Sequence, residues 1–407
     1  MRYFARLAGR AVAGAVVLAL SPVLGLAALA GMAMVGAEPT AFAVTGLAVF
    51  ASVFFLGLLL CVPRPRAAWG RWLRAALILG VEAAVVWHVS VATLRPPAAP
   101  APLAPVAGQR EWRLPTGSEL AYVRLAPKRV TRPDPVVFLH GGPGVADLAA
   151  SAAFLRKLTA DGYQVYVYDQ LGAGRSARLP DPRGYGLTRD VADLEAIRQA
   201  VGASRLNLIA QDYGTRLAAA YLTAHPDHVA KAVLASPVWE DQGRQPGGTV
   251  EQAAVFGRNG TPDPRLLAVS TLLRVEPLAA HAFAGDRELD GYLDLVRRGA
   301  AHPCPAAATT GSGGYVGLTA PSAPGAPRPS LTEVTAPVLI VKAACDEQSW
   351  ASATEYRRAL PSATFAYLGG GTYRSEAYLG LLRAFLAGRQ VRAYEGDAAP
   401  PDYRGPR

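Results

Sequence analysis

Asp212 stands where an apolar run stops. The stretch Leu208-Ile209-Ala210-Gln211-Asp212-Tyr213-Gly214 has a small residue two places to either side of the aspartate, and a helix-like segment, YGTRLAAAYLTAH (213–225), follows it. Small residues at those two places are what a strained strand-to-helix reversal requires, and such a reversal lifts the middle side chain clear of the sheet. A carboxylate presented in that way can attack an alkyl carbon and form an ester, which a base-activated water then cleaves. The first half of that chemistry needs no base; the second half does. Asp212 is therefore either a nucleophile of its own kind or the remains of a lost one.

A side chain can be used in this way only if a sheet carries it. From Gly108 onward strand-like and helix-like patterns alternate. Short apolar runs at 135–139, 164–168, 206–211, 230–235, 337–343 and 364–368 are separated by segments of helical spacing such as DVADLEAIRQAVG (190–202) and EAYLGLLRAFLAG (376–388). That alternation predicts an α/β fold with a mostly parallel sheet covered on both faces. Residues 238–336 break the rhythm with two or three helical stretches and a loose Ala/Gly/Pro/Ser tract at 305–330. They are expected to form a cap inserted between two parts of a core, 108–237 and 337–390, with 391–407 a flexible tail.

Two glycine-rich turns precede the elbow: His140-Gly141-Gly142-Pro143-Gly144 after one strand, and Asp169-Gln170-Leu171-Gly172-Ala173-Gly174-Arg175-Ser176 after the next. With the elbow they fall in the order of the α/β-hydrolase fold. HGGPG followed by YDQLGAGRSARL resembles the prolyl aminopeptidase (proline iminopeptidase) branch, serine peptidase family S33, over roughly residues 108–388. The resemblance implies backbone donors for a substrate oxyanion at Gly142 and Tyr213, in a turn supported by His140, Gly141, Pro143 and Gly144. It places the acid of the catalytic triad at Asp346, the end of VLIVKAACD. It places the base after the last strand, where Gly369-Gly370-Gly371 is followed by Thr372 in place of histidine. A threonine hydroxyl is a negligible base near neutral pH. The nucleophile position departs too, since Asp212 replaces serine. QDYG is similar to the elbows of haloalkane dehalogenases and epoxide hydrolases, which use an aspartate nucleophile.

No histidine follows His302. His88 lies in an apolar span, His140 in the glycine turn, His225 and His228 after the elbow helix, and His281 and His302 in the expected cap. The leading expectation is a protein with a degenerate triad and reduced or absent turnover, whose pocket holds a small molecule or peptide. The alternative is an active hydrolase of peptidase, ester, epoxide or haloalkane type that uses Asp212 with an unusual base. No metal-ligand cluster or cofactor loop is read from the sequence, and GAGRS lacks the lysine of a phosphate-binding loop.

The chain has 407 residues, 51% of them hydrophobic, and a mean hydropathy of +0.17. That is too apolar for an ordinary soluble enzyme. Residues 1–94 are read as a membrane anchor with three spans, 11–37, 41–63 and 75–94, each near the roughly 20 apolar residues that cross a bilayer. Arg2, Arg6 and Arg10 precede the first span, and Arg64, Arg66, Arg71 and Arg74 lie between the second and third. The positive-inside rule then puts the N-terminus in the cytoplasm and everything after Arg95 outside the cell membrane. The first span could instead be a signal peptide cleaved near Ala41-Phe42-Ala43. A Pro/Ala linker, 95–107, separates anchor from core. The anchor's seven arginines and two glutamates account for half of the net charge of +10, and no basic stripe with aromatics appears, so the lipid bilayer and not nucleic acid is the expected partner. Cys304 and Cys345 are left open between a disulfide and two separate thiols.

Overall fold

The computed structural model describes residues 2–98, 100–239, 263–299, 304, 312–319 and 330–406. Its chain divides into two compact units. His302 and residues 305–311 and 320–329 lie outside the described residues, while Gly314–Thr319 within that tract forms a short helix, α9.

One unit comprises Met1–Ala99 and Thr249–Glu288. Its first three helices are α1 (Arg2–Met34), α2 (Pro39–Cys61) and α3 (Ala68–Leu94). Three stretches in them, Ala8–Met34, Pro39–Cys61 and Ala68–Leu94, are long and apolar enough to cross a membrane. The helices begin before the apolar limits drawn from sequence, so that α1 takes in Arg2, Arg6 and Arg10 and α3 takes in Arg71 and Arg74, and α1 and α2 end two to three residues short of them. α1 and α2 form an antiparallel hairpin whose backbones touch. A Cβ added at Gly46 would stand 2.9 Å from the Leu29 Cβ and 3.0 Å from the Gly25 carbonyl oxygen. Small residues permit such approaches where dispersion contacts, and not water, drive helix association. Arg74 ties α3 to the end of α2, donating from Nε to the Val62 carbonyl and from Nη2 to the Leu59 carbonyl, both at 2.9 Å. These are carbonyls that a helix C-terminus leaves without partners. Val12, Val16, Leu20, Trp69, Trp72 and Trp87 are exposed on the outside of this unit.

The same unit takes in part of the expected cap. α7 (Pro264–Val275) and the first half of α8 (Pro277–Gly299) group with α1–α3. Arg265 explains the attachment. It is buried, donates from Nη1 to the Thr93 carbonyl at 2.8 Å and from Nη2 to Glu288 Oε2 at 2.8 Å, and lies 4.4 Å over the Phe283 ring. Phe283 in turn rests against Phe42 with ring centroids 5.7 Å apart.

The other unit comprises Pro100–Gly248 and Leu289–Arg407. Eight strands form one sheet: β1 (Gln109–Arg113), β2 (Glu119–Leu125), β3 (Val136–Leu139), β4 (Val165–Tyr168), β5 (Leu206–Gln211), β6 (Val229–Ala235), β7 (Val338–Ala343) and β8 (Thr364–Leu368). Their order is β1-β2-β4-β3-β5-β6-β7-β8. β2 runs antiparallel to β1 and β4, and every pairing from β4 to β8 is parallel. Successive side chains point to opposite faces of a strand, and the core divides accordingly. Val137, Leu139, Leu208, Ala210, Leu234 and Ile340 belong to one cluster, while Val136, Phe138, Ile209, Val233, Leu339 and Val341 belong to the other. α5 (Leu187–Ala200), α6 (Tyr213–Ala224) and α10 (Trp350–Ala359) cover the first face; α4 (Leu148–Leu155) and α11 (Glu376–Leu386) cover the second.

Residues 391–406 are packed, where the sequence pattern leaves only a flexible tail. Tyr403 is buried, the Trp350 N–H donates to the Pro406 carbonyl at 2.8 Å, and the Arg404 N–H donates to the Ala344 carbonyl at 2.9 Å. Trp350, Phe365, Tyr394 and Tyr403 form one aromatic group. Cys304 and Cys345 form a disulfide with Cα atoms 5.5 Å apart.

Candidate functional site

β5 ends at Gln211 and α6 begins at Tyr213, so Asp212 alone makes the reversal. Its backbone sits at φ 51°, ψ −122°. Only Asp212 and Ser236 among the described non-glycine residues have positive φ. A side chain in that region costs on the order of 1–3 kcal/mol, which the surroundings must supply. They do so through backbone bonds. The Asp212 N–H donates to the Ala235 carbonyl at the end of β6 at 3.0 Å, and the Asp212 carbonyl accepts from the Thr215 N–H and hydroxyl at 2.8 and 2.6 Å.

The glycine turn faces this elbow. Gly142 has φ 123°, and a Cβ there would meet the Gly144 and Val145 nitrogens at 2.5 and 2.6 Å, so only glycine fits. Its N–H donates to Asp212 Oδ2 at 2.8 Å. The Tyr213 N–H also stabilises the Asp212 carboxylate. One of the two donors expected to serve a substrate oxyanion, the Gly142 N–H, is thus directed at the protein's own aspartate. Gly141 leaves room for it, since a Cβ there would lie 2.8 Å from Oδ2. The other oxygen, Oδ1, accepts from Gln348 Nε2 at 2.6 Å. Asp212 is half-buried, and removal from water pushes its pKa from 3.8 up to about 6, with Glu347 adding to the rise and the Gly142 and Tyr213 donors and Arg297 opposing it.

The second glycine turn braces the first. His140 is buried, donates from Nδ1 to the Gly141 carbonyl at 2.8 Å, and accepts at Nε2 from the Gln170 N–H at 2.8 Å. Burial pushes its pKa down to about 4, so the ring is neutral and structural. Asp169 accepts from the Arg175 N–H at 2.8 Å, and burial raises its pKa to about 6.

Asp346 lies just beyond β7, where a triad acid is expected, and both of its oxygens are hydrogen-bonded. Oδ1 accepts from the Ser236 hydroxyl at 2.6 Å and the Gln348 N–H at 2.8 Å, with Lys342 Nζ at 3.2 Å. Oδ2 accepts from the Tyr373 hydroxyl. Lys342 is wholly buried and also donates to the Gln348 carbonyl at 2.6 Å. Burial lowers its pKa and the Asp346 charge opposes that. Thr372 is exposed, and its carbonyl accepts from the Ser375 N–H and hydroxyl in the turn that starts α11. The expected base position therefore contributes nothing to Asp212 or Asp346; the next residue, Tyr373, reaches Asp346 instead.

No described histidine hydrogen-bonds to Asp212 or Asp346. His281 pairs with Asp286 at 3.2 Å. His228 Nδ1 is 3.1 Å from Glu195 Oε2, and the His225 and His228 rings are stacked. Glu195, His225 and His228 have ligand atoms within 4.8 Å of one another. Arg198, however, already donates to both oxygens of that carboxylate, at 3.0 and 2.7 Å, which reads as an ion-pair network. Gln348, Lys342, Ser236 and Tyr373 were not marked by sequence. The one signal was Lys342, a lone charge inside an apolar run.

Residues 134–263 match the family profile described as alpha/beta hydrolase fold. The sheet unit has the α/β-hydrolase fold. The matched segment covers the glycine turns and the elbow and stops short of Asp346 and Thr372. Among curated relatives, the proline iminopeptidase of Heyndrickxia coagulans is 36% identical over 146 residues, which is 33% of this chain and 50% of that protein. The proline iminopeptidase of Xylella fastidiosa is 38% identical over 103 residues, 25% of this chain and 31% of that protein. The chain thus spans half or less of the length of these relatives. Among solved structures, proline iminopeptidase from Mycobacterium smegmatis aligns at 20% identity and a TM-score of 0.44, over 69% of this chain and 96% of that one. A proline iminopeptidase-related protein from Thermus thermophilus aligns at 25% identity and a TM-score of 0.43, over 69% and 97%.

Proposed function

We propose that this chain is a membrane-anchored, prolyl-aminopeptidase-like protein of the α/β-hydrolase fold that does not turn over acyl substrates. Its pocket serves to hold a small-molecule or peptide ligand on the outer face of the membrane. The observation that carries this reading is the position of Asp212 Oδ2 on the Gly142 N–H. Acyl transfer needs those donors for the oxygen of the attacked carbonyl, and loss of one donor alone costs about 100- to 1000-fold in rate. With the Gly142 donor directed at Asp212 and no described histidine hydrogen-bonded to Asp346, neither half of peptide or ester hydrolysis is supported. Anchoring is supported by three apolar helices of spanning length, and the outward placement by the arginines before α1 and between α2 and α3. The Cys304–Cys345 disulfide suits an oxidising compartment.

The test is steady-state release from prolyl amides and simple esters by the purified full-length chain in detergent. No release above the buffer rate is expected. Release that Asp212→Asn abolishes would overturn the reading.

One observation favours a second reading. A carboxylate with one oxygen on backbone donors is also how an aspartate nucleophile would hold its ester carbonyl while the other oxygen attacks. Epoxides or haloalkanes would then leave a stable adduct on Asp212, because no base follows to cleave the ester. Intact-protein mass spectrometry reads that adduct, and peptide mapping places it.

A further inference from the structure

We infer that the arginine-bearing end of the three-helix unit is a binding surface for the phosphate of acidic phospholipid headgroups. The inference rests on the membrane reading above and goes beyond it, since a neutral bilayer would satisfy the apolar helices equally well.

The antiparallel run of α1 and α2 and the return of α3 bring three helix ends together. Cys61 Sγ lies 3.8 Å from the Ala11 carbonyl, which puts the start of α1 beside the end of α2. Arg74 bonds the Leu59 and Val62 carbonyls, which puts the start of α3 there too. Arg10, Arg64, Arg66 and Arg71 are all exposed at this end. None of the four takes part in an ion pair among the described residues, whereas Arg74 is spent on the helix joint. No acidic residue occurs in 1–37 or in 39–81. Four guanidinium groups thus share a surface with no internal counter-charge.

The turn is also shaped to present them. Pro63 and Pro65 alternate with Arg64 and Arg66, and the chain folds back closely enough that a Cβ on Gly70 would lie 2.9 Å from the Pro65 Cβ. Proline fixes φ and removes rotational freedom from its segment, so the two arginines are held on a stiff turn. Trp69 and Trp72 flank them with relative exposures of 73% and 80%. Exposed tryptophans settle at the headgroup level of a bilayer, where a flat apolar ring and a polar N–H are both accommodated. They set the depth at which the arginines meet lipid phosphate. Guanidinium binds phosphate oxygens in a two-pronged fashion. Each basic residue near an anionic leaflet is worth about fivefold in lipid partition.

The experiment uses the full-length chain, delipidated in a neutral detergent and titrated with phosphatidylglycerol or phosphatidylcholine, with bound lipid counted by native mass spectrometry. Preferential retention of phosphatidylglycerol, reduced at least tenfold in R64Q/R66Q/R71Q and unchanged in Arg95→Gln at the opposite end of α3, is the expected result. Glycerol phosphate at millimolar concentration should not compete. Equal retention of the two lipids, an unchanged preference in the triple variant, or competition by glycerol phosphate would each overturn the inference. Alkaline carbonate washing of membranes separates the two readings. A chain that resists extraction but shows no lipid preference keeps the anchor and loses this surface; a chain released by carbonate loses both.

Discussion

Asp212→Asn isolates the energetic state of the elbow. The substitution keeps the shape of the side chain and one acceptor for the Gly142 N–H but removes the ionisable group. In the folded chain Asp212 titrates at about 6 against an ordinary 3.8. A rise from 3.8 to about 6 corresponds to about 3 kcal/mol of preference for the protonated acid. That is an upper figure, because Asp212 retains some contact with water. The sign follows from linkage. The folded state binds the proton more tightly, so its contribution to stability is fully present below about pH 4 and is lost as pH rises through about 6. Asp190 and Asp169 are raised by burial to about 7 and about 6, and wild type and variant share their effect. The difference between the two proteins therefore reports Asp212 alone. Thermal midpoints of both, measured in one detergent from about pH 4 to pH 8, should diverge. The variant should gain several degrees on wild type as pH rises, at about 2–4 °C per kcal/mol. A difference that stays flat with pH, or in which wild type gains, would mean that Asp212 is ionised throughout. The backbone donors would then outweigh burial, and Asp212 would not be the protonated, desolvated acid inferred for the elbow.

Three further outcomes follow from the same contacts. Lys342→Met should cost about 3 kcal/mol, because it strands a buried carboxylate; adding Asp346→Asn should return part of that loss in a double-mutant cycle of thermal midpoints. Cys304→Ser should cost about 2–4 kcal/mol for opening a loop with a sequence separation of 41; a reductant should lower the midpoint of wild type by the same amount and leave the variant unmoved. Gly46→Leu should destabilise the helical hairpin by about 1–3 kcal/mol through overpacking against Leu29 and Gly25; Val44→Leu, on an exposed position of the same helix, should change the detergent midpoint little.

The sheet was legible because parallel strands buried on both faces read as continuous apolar runs, and β3, β4 and β7 are buried along their whole length. The elbow was legible because its backbone demands small residues at fixed offsets from Asp212. β1 was not, since Gln109–Arg113 is an edge strand paired on one side and only Trp112 is buried. The packed C-terminus was not, because Tyr394 and Tyr403 attach through backbone bonds to Phe365, Pro400 and their neighbours and leave no periodicity to read. The ring of donors around Asp346 joins residues distant in sequence, as with Ser236, 110 positions away. Composition and spacing carry no record of such pairings. The lone lysine inside VLIVKAACD was the readable trace, since a charge within a buried strand requires a partner.

On the proposed reading, the threonine at the expected base position and the engaged carboxylate of Asp346 are one change, not two. A triad acid needs a lone pair free to hold an imidazole N–H. Asp346 has spent Oδ1 on Ser236, Gln348 and Lys342 and Oδ2 on Tyr373. A buried carboxylate deprived of an imidazole needs some other donor, and Tyr373 provides it one position along from Thr372. The phenol is held well above its ordinary pKa, with burial first and the Asp346 charge second, so it remains a donor across the accessible range and cannot serve as a base. Restoring the family residues at two positions is therefore insufficient. D212S/T372H should stay inactive toward prolyl amides and esters, because the new imidazole meets an acid already bound to Tyr373. D212S/T372H/Y373F frees Oδ2 of Asp346 and, with Oδ2 of residue 212 gone, returns the Gly142 donor to the substrate. Turnover in the triple variant and not in the double one, read as steady-state product release on equal amounts of folded protein, is the expected result. Activity in the double variant would show that Tyr373 does not close the acid, and the link drawn between the two losses would be refuted.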